Sequence, residues 1–552
     1  MSNYEQVFEI IGQFGTYQKF CAVLLFSVPL CLGFQNLAAI FLNYQPEFQC
    51  FGDQSLIFND SIFVFDSKCS ADCNKNVVYK FTFNTSGKNS VTLPNSIVTE
   101  NNWICDKQIY STLSISVQFL GYFIGSLLSG ISCDSLGRKA TIIYPAILNF
   151  FIFYLTSLVA ENHLSFFSYL ISRFLLGVTF KLFVIAFFVH LTENCGSKYT
   201  SFLGILGLGG VGSLGQAILA IVAAYLVNWR DLSKFLGLSA LIMAMIVLFV
   251  PRSARFLAAN SKSREQAVEI LVRTGVKNGK IQKDGVIEIA NEIRKILENE
   301  DDQNSNNTTK IYTTKDLFTN GPHLKKSICH LIIIWFAANL LYYGLSFNAG
   351  SLPYNVYLTT FIYAISELPA YITAIVMSYS KIGKKIGRTN FVGYSFYGAG
   401  ACVLLGSLLR SSEGLWLIVL GTLARTFISC GFMLCYTITS ELFPTKIRGN
   451  AIGTCSAVSR VGAMLSPLLV SFSTSQKVLT SLIISTIAVL AGYLTMSLPE
   501  TNGKPLMMTF QDAEQVYNRH WGDVKKTKKK ENENQDNFLK IDCSQTIYVN
   551  QF

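Results

Sequence analysis

Residues 109–131 and 140–160 form two apolar blocks, each matching the ~20 residues an α-helix needs to cross the hydrocarbon core of a bilayer. At their junction runs Gly130-Ile-Ser-Cys-Asp134-Ser-Leu-Gly137-Arg138-Lys139, too short for a domain and too charged for lipid. A bilayer offers no hydrogen bonds to bare backbone, so blocks of this length commit the chain to membrane-spanning helices. Short cationic loops stay on the cytoplasmic side, so Arg138 and Lys139 also set which way every other segment faces.

The same kind of block recurs. The expected spans are Phe20–Leu42, 109–131, 140–160, Phe166–Leu191, Phe202–Val227, Lys234–Val250, Ser327–Phe347, Val356–Tyr379, Phe391–Leu409, Leu415–Ile438, Ala451–Phe472 and Val478–Leu498. Only 14% of residues are charged, against ~25% in soluble chains, which excludes a string of soluble domains. The net charge of +11 invites a nucleic-acid reading. The basic residues sit in short loops and a tail, however, and positive-inside topology explains them without nucleic acid. No cleavable signal is expected: the polar start Met1–Lys19 lies along the inner surface, and the first span does the targeting.

Residues 43–107 form a large extracellular segment. It gathers Cys50, Cys69, Cys73 and Cys105, with glycosylation sequons at Asn59 and Asn84. Disulfides and glycans both belong to the oxidising outside. Four cysteines allow three pairings, all of which stay open. Zinc is the weaker reading, because Cys69 and Cys73 have no nearby histidine. Residues 251–326 read as a cytoplasmic linker with short amphipathic helices. Residues 499–552 read as a cytoplasmic tail carrying Lys525–Lys530, a solvated charge run or an anchor to anionic lipid.

Landmarks recur near a spacing of about 250 residues. Gly137-Arg138 answers Gly387-Arg388, Arg173 answers Arg425, Thr192-Glu193 answers Ser440-Glu441, and Pro251 answers Pro499. Two six-helix halves related by a parallel repeat follow, residues 1–250 and 327–498, with a substrate site near the midplane between them. Asp134, Arg138, Glu193, Glu441 and Arg448 lie at inner helix ends and read as a gating set. Their charges either cap helix dipoles or pair across the interface between halves, latching one state.

Ionisable residues inside spans are costly and mark function by default. Glu367 and Arg460 are the leading candidates, with a mutual ion pair as the bland alternative. Arg460 offers a planar donor fork suited to a carboxylate. Trp335 and Tyr342 are two helical turns apart on one face and offer cation–π contact, or ordinary packing. Gln35, Asn36 and Asn339 are polar at membrane depth. Lys181 and His190 are further candidates, for an anionic group and a proton respectively. No Walker loop is present, so no nucleotide cofactor is expected. Gly207–Gly215 lies inside a span and reads as close helix packing.

The loop G-x-x-x-D-x-x-G-R-K at Gly130–Lys139 resembles the signature loop of the major facilitator superfamily of transporters. Tyr4–Gln18, the glycosylated cysteine-rich loop, Trp335–Gly350, Glu367-Leu-Pro-Ala-Tyr371 and Glu441–Arg448 are similar to the organic cation, organic anion and carnitine transporters of solute carrier family 22. Two departures stand out: Pro251-Arg-Ser-Ala-Arg255-Phe where that family writes Pro-Glu-Ser-Pro-Arg-Trp, and Lys384 where it has an acid. The resemblance implies an all-α membrane protein and a plasma-membrane secondary transporter, not an enzyme, with a small organic ion as substrate and Na⁺ or H⁺ as coupling ion. It implies that Trp335, Tyr342, Glu367 and Arg460 line the central cavity. Arg at the 460 position goes with anion and carnitine transport, and Glu367 beside it fits a zwitterion such as carnitine. An organic cation transporter and a non-transporting sensor of the same fold are the alternatives, and a sugar porter is disfavoured by the long first outer loop.

Overall fold

The computed structural model describes residues 3–45, 47–50, 77–80, 95–159, 165–258, 263–282, 285–306, 314–319, 321–348, 355–409, 414–475 and 477–502. Of the expectations for residues 43–107, Cys69, Cys73, Asn59 and Asn84 fall outside these, as does the basic run of the tail. Cys50 ends a short strand, β1 (Glu47–Cys50), which pairs antiparallel with β2 (Val77–Lys80). Cys105 is disulfide-bonded.

Among the described residues, twelve long helical spans make the body. Span one covers Thr16–Leu42, span two Gln108–Leu136, span three Arg138–Leu158, span four Phe166–Glu193 and span five Phe202–Tyr225. Span six is Trp229–Val247. Span seven is Pro322–Asn348, span eight Val356–Tyr379, span nine Arg388–Leu408 and span ten Gly414–Leu442. Span eleven is Thr445–Ser475 and span twelve Lys477–Met496. Eleven of these are long and apolar enough to cross a membrane. Span six differs by opening on Arg230, Asp231 and Lys234. It starts before the expected Lys234 because the Asn228 side chain accepts a hydrogen bond from Arg230 N at 3.0 Å, capping the helix. Lys234 pairs with Asp231 at 2.9 Å instead of starting the helix.

Apolar surface gains little by leaving lipid for protein, so close backbone approach and internal hydrogen bonds must hold such helices together. Glycines provide the approach. A Cβ on Gly33 of span one would meet the Gly212 carbonyl and lie 2.7 Å from Gly215 Cα of span five, and Gly121 and Gly177 clasp spans two and four in the same way. The glycine-rich stretch expected to pack is thus seated on span one. Gly33→Ala should lower the melting temperature of the detergent-solubilised protein, by about 1–3 kcal/mol of overpacking, since backbone cannot rotate aside as a side chain can. A melt within a degree of the parent would refute the contact. A buried amide ladder provides the hydrogen bonds: Gln35 donates to Asn149 at 2.9 Å, and Asn149 to Thr179 at 3.0 Å.

The repeat is reproduced in the loops. Gly137 and Gly387 both sit at φ +86°, a backbone region glycine alone adopts freely. Each sends the following arginine to the glutamate closing the next span: Arg138 meets Glu193 at 3.0 Å, and Arg388 meets Glu441. Arg138 also reaches Asp134 at 3.3 Å. These pairs lie within one half each, whereas one of the two expected roles had them bridging the halves. The physical reason is that spans three and four, like nine and ten, pack side by side and bring their ends together. Arg448 buries its Nε without a hydrogen-bond partner, also at this end.

Beyond this level the halves differ. Glu500, after Pro499, accepts hydrogen bonds from Arg388 N at 2.9 Å and from Thr389 N and Oγ1 at 3.2 and 2.8 Å, capping span nine. Arg252 stands at the matching place after Pro251, so span three has no such carboxylate, and Ser253 Oγ donates to Glu193 instead, at 2.5 Å. Burial raises the Glu500 carboxyl, but the hydrogen bonds from Asn502, Thr389 and Arg388 outweigh it and hold it below its ordinary range. A lowered folded pKa means stability that is present above the unfolded value, ~4.3, and is lost as pH falls through the folded value. Glu500→Gln should therefore cost about 1 kcal/mol at pH 7, the worth of a helix cap. The melting difference from the parent should shrink below about pH 4; a pH-independent difference would contradict the charge.

The linker helices Ala254–Ala258, Arg264–Lys277 and Val286–Asn306 join the N-terminal helix Asn3–Ile11 in a separate small core of Val7, Ile11, Leu257, Ala267, Leu271 and Ile293. Asn278 stitches it to span one, donating to Ile11 O at 2.9 Å and accepting from Tyr17 N at 3.0 Å. At the opposite end Glu100 binds Trp229 Nε1 at 2.8 Å and Arg230 at 2.5 Å.

Candidate functional site

Two clusters of buried charged and polar residues lie on the spans where the halves meet. In the first, Glu367 of span eight and Arg425 of span ten form a fully buried ion pair at 2.6 Å. Span five, from the other half, closes around it. Ser213 donates to Glu367 Oε2 at 2.7 Å, and Gln216 Oε1 accepts from Arg425 at 3.1 Å. Tyr371, one turn after Glu367, donates to the same carboxylate at 3.1 Å. Arg425 also bonds Ser346 Oγ and lies 4.6 Å from the ring centre of Tyr342. Glu367 therefore has both oxygens engaged and its charge matched.

The second cluster carries the opposite balance. Arg460 of span eleven is 7% exposed, its Nε has no hydrogen-bond partner, and no carboxylate among the described residues pairs with it. Its charge acts on Tyr122 of span two, Lys181 of span four, Tyr343 of span seven and Tyr436 of span ten. The Lys181 ammonium lies 5.1 Å from the Tyr122 ring centre and 5.4 Å from that of Phe180. Tyr343 donates to Asn36 of span one at 3.0 Å, linking the halves. Phe119 meets Tyr343 edge-on at 4.6 Å. The result is a set of aromatic rings from both halves, with Lys181 on ring faces in one half and Arg460 buried in the other.

The other expected residues distribute between these clusters and the packing around them. Trp335 donates to Thr439 at 3.0 Å and stands edge-on to Tyr436 at 4.3 Å, next to the second cluster. Tyr342 belongs to the first cluster. Asn339 bonds Trp335 O at 3.4 Å within its own helix. Gln35 is spent on Asn149 inside one half, away from both clusters. His190 is fully buried near the linker end, apart from both. Glu367 and Arg460, with a mutual ion pair as the bland alternative, do not pair: Glu367 takes Arg425.

From sequence Arg425 stands out as a repeat landmark and not as a site residue. The signal was present: it is as ionisable and as deep in a span as Glu367 and Arg460. Among the described residues its repeat mate Arg173 has no acid partner, and it bonds the Tyr169 hydroxyl. Among the described residues, no group of His, Cys, Asp and Glu could hold a metal ion.

Comparison with known proteins gives a consistent picture. Residues 70–512 match the family model described as "Sugar (and other) transporter". An organic cation transporter protein of Drosophila melanogaster is 28% identical, over 93% of this chain and 94% of its own. Solute carrier family 22 member 16 of Xenopus laevis is 26% identical over 93% of this chain and 94% of its own. The organic cation/carnitine transporter 4 of Arabidopsis thaliana is 28% identical over 93% of this chain and 92% of its own. Among solved structures, the inward-open xylose transporter XylE of E. coli superposes with a TM-score of 0.61, at 16% identity, over 91% of this chain and all of that one.

Proposed function

The chain belongs to the sugar (and other) transporter family of the major facilitator superfamily, and from that premise we propose that it carries small organic anions across the plasma membrane, with Arg460 receiving the carboxylate. The observation that carries this reading is the contrast between the two clusters. Glu367 is neutralised by Arg425, while Arg460 is buried with no acid partner among the described residues. A buried, uncompensated charge is costly, and a bound counter-ion relieves that cost. A cationic substrate would add to the imbalance.

Alternating access follows from where the halves touch. Ser116 of span two donates to Met464 O of span eleven at 2.9 Å, and Phe41 of span one stacks on Tyr357 of span eight at 5.4 Å. With the Ser213–Glu367 and Asn36–Tyr343 bonds, these contacts between halves run from mid-depth toward the end opposite the linker. The arginine–glutamate pairs at the linker end, which we take as cytoplasmic, keep to their own halves. This arrangement suits a state open toward the linker, whose rocking would open the far end. The pairs then act as braces that keep each half rigid.

Uptake by proteoliposomes of labelled benzoate, carnitine and tetraethylammonium tests the reading. Saturable benzoate uptake is expected, with tetraethylammonium not carried. Carnitine uptake alone would shift the substrate class to zwitterions, the aromatic rings of the second cluster then holding the ammonium. Tetraethylammonium uptake alone would overturn it.

A further inference from the structure

Where span one begins beside the linker, four exposed cations come together: Lys19, Arg273, Lys277 and Lys280. We infer that they form a headgroup site for an anionic phospholipid of the inner leaflet, one that carries phosphate on its headgroup, held between the linker and span one. The inference takes the linker end as cytoplasmic, as above, and is independent of the substrate.

Direct contacts place these residues. Asn278 closes the linker helix Arg264–Lys277 and clamps its end to the start of span one. It donates to Ile11 O at 2.9 Å and to Gln18 Oε1 at 3.2 Å, and accepts from Tyr17 N at 3.0 Å. The clamp brings Lys277 Nζ to 4.1 Å from the Tyr17 ring centre. A Cβ added at Gly12 would lie 3.7 Å from Lys280 Cγ, so the Lys280 stem crosses the turn before span one. Arg273 precedes Lys277 by one helical turn and stands beside it on the same face. Like charges at that spacing repel, and no acid offsets them. Among the described residues Arg294 pairs with Glu265 at 2.8 Å, while none of the four cations takes an ion pair, nor does Glu269 one turn before Arg273. The neighbouring surface decides for a lipid. Phe20 follows Tyr17 by one turn, and Phe20 and Val23 are 56% and 65% exposed on a span that crosses the bilayer, so this face meets lipid. A phosphate held by Arg273 and Lys277 would lay its acyl chains along that face. Cationic clusters just inside a spanning helix attract anionic headgroups, with long basic stems and aromatic rings seated at the interface.

The test is the melting temperature of the detergent-solubilised full chain, titrated with dioctanoyl phosphatidylinositol bisphosphate, dioctanoyl phosphatidylcholine and inositol trisphosphate. The bisphosphate lipid should raise it saturably, and phosphatidylcholine should not. Inositol trisphosphate, which lacks acyl chains, should act at least ~10-fold more weakly. Arg273→Gln/Lys277→Gln should move the midpoint of the lipid titration ~30-fold higher, ~5-fold for each charge near a membrane surface. Both side chains are exposed and take no ion pair among the described residues, so without lipid the variant should melt with the parent. Lys528→Gln/Lys529→Gln/Lys530→Gln, in the basic run of the tail, should leave the midpoint unmoved. A parent that the bisphosphate lipid does not stabilise, an equal effect of phosphatidylcholine, or a linker variant with the parental midpoint overturns the site. Inositol trisphosphate acting as strongly as the lipid overturns the lipid as its occupant. Loss of the effect in the tail variant moves binding to the tail and overturns the site as well. None of these outcomes touches the reading of the substrate.

Discussion

Arg425→Ala should destabilise the folded protein by about 3–5 kcal/mol, because it strands the Glu367 carboxylate in a fully buried site. The loss would appear as poor recovery from detergent and a sharply lower melting temperature. Glu367→Gln should behave similarly, since it strands the guanidinium. The double variant Glu367→Gln/Arg425→Met should recover most of the loss, because a buried ion pair replaced by groups of similar volume leaves no unmatched charge. That non-additivity is the discriminating readout: two residues that merely happen to be near one another would give additive losses. If Glu367 were instead a substrate counter-ion, the double variant would be stable and would also have changed its selectivity toward cations. Since Ser213 and Gln216 of the opposite half share the knot, the recovered double variant should still transport more slowly, its halves less firmly joined at mid-depth.

Arg460→Gln should lower the uptake efficiency of benzoate by ~30–150-fold with little change in melting temperature. The figure is the ~2–3 kcal/mol of a hydrogen bond to a charged group. The stability expectation follows from the lack of an acid: among the described residues Arg460 has no ion pair to lose, and removing an unmatched buried charge relieves rather than creates strain. The two arginines therefore give opposite signatures, Arg425 failing in stability and Arg460 in transport. An Arg460→Gln protein that keeps parental uptake kinetics would remove it from the binding site.

The reading of Arg138, Glu193, Glu441 and Arg448 shows where local pattern stops. Their positions at helix ends were legible, as was the repeat that pairs Gly137-Arg138 with Gly387-Arg388. Which glutamate each arginine meets was not, because loop charges from either half are equally plausible partners until the packing of spans three on four and nine on ten is known. The same holds for Gln35, which is polar at membrane depth whether it faces a pore or, as here, a buried amide in its own half.

Sequence by itself determined the spans, their division into two repeated halves and the family. Those properties rest on local quantities: the length of apolar blocks, the charge of short loops and the glycines required at two positive-φ turns. Tertiary structure alone decided the charge balance of the interior. Glu367 lies 58 residues from Arg425 along the chain and is joined to it only by the packing of span eight on span ten. Ser213 and Gln216 come from the opposite half and reach this pair only because the halves close on each other. A buried charge is neutral or hungry for a counter-ion according to its nearest partner in space, and chain order carries no record of that distance.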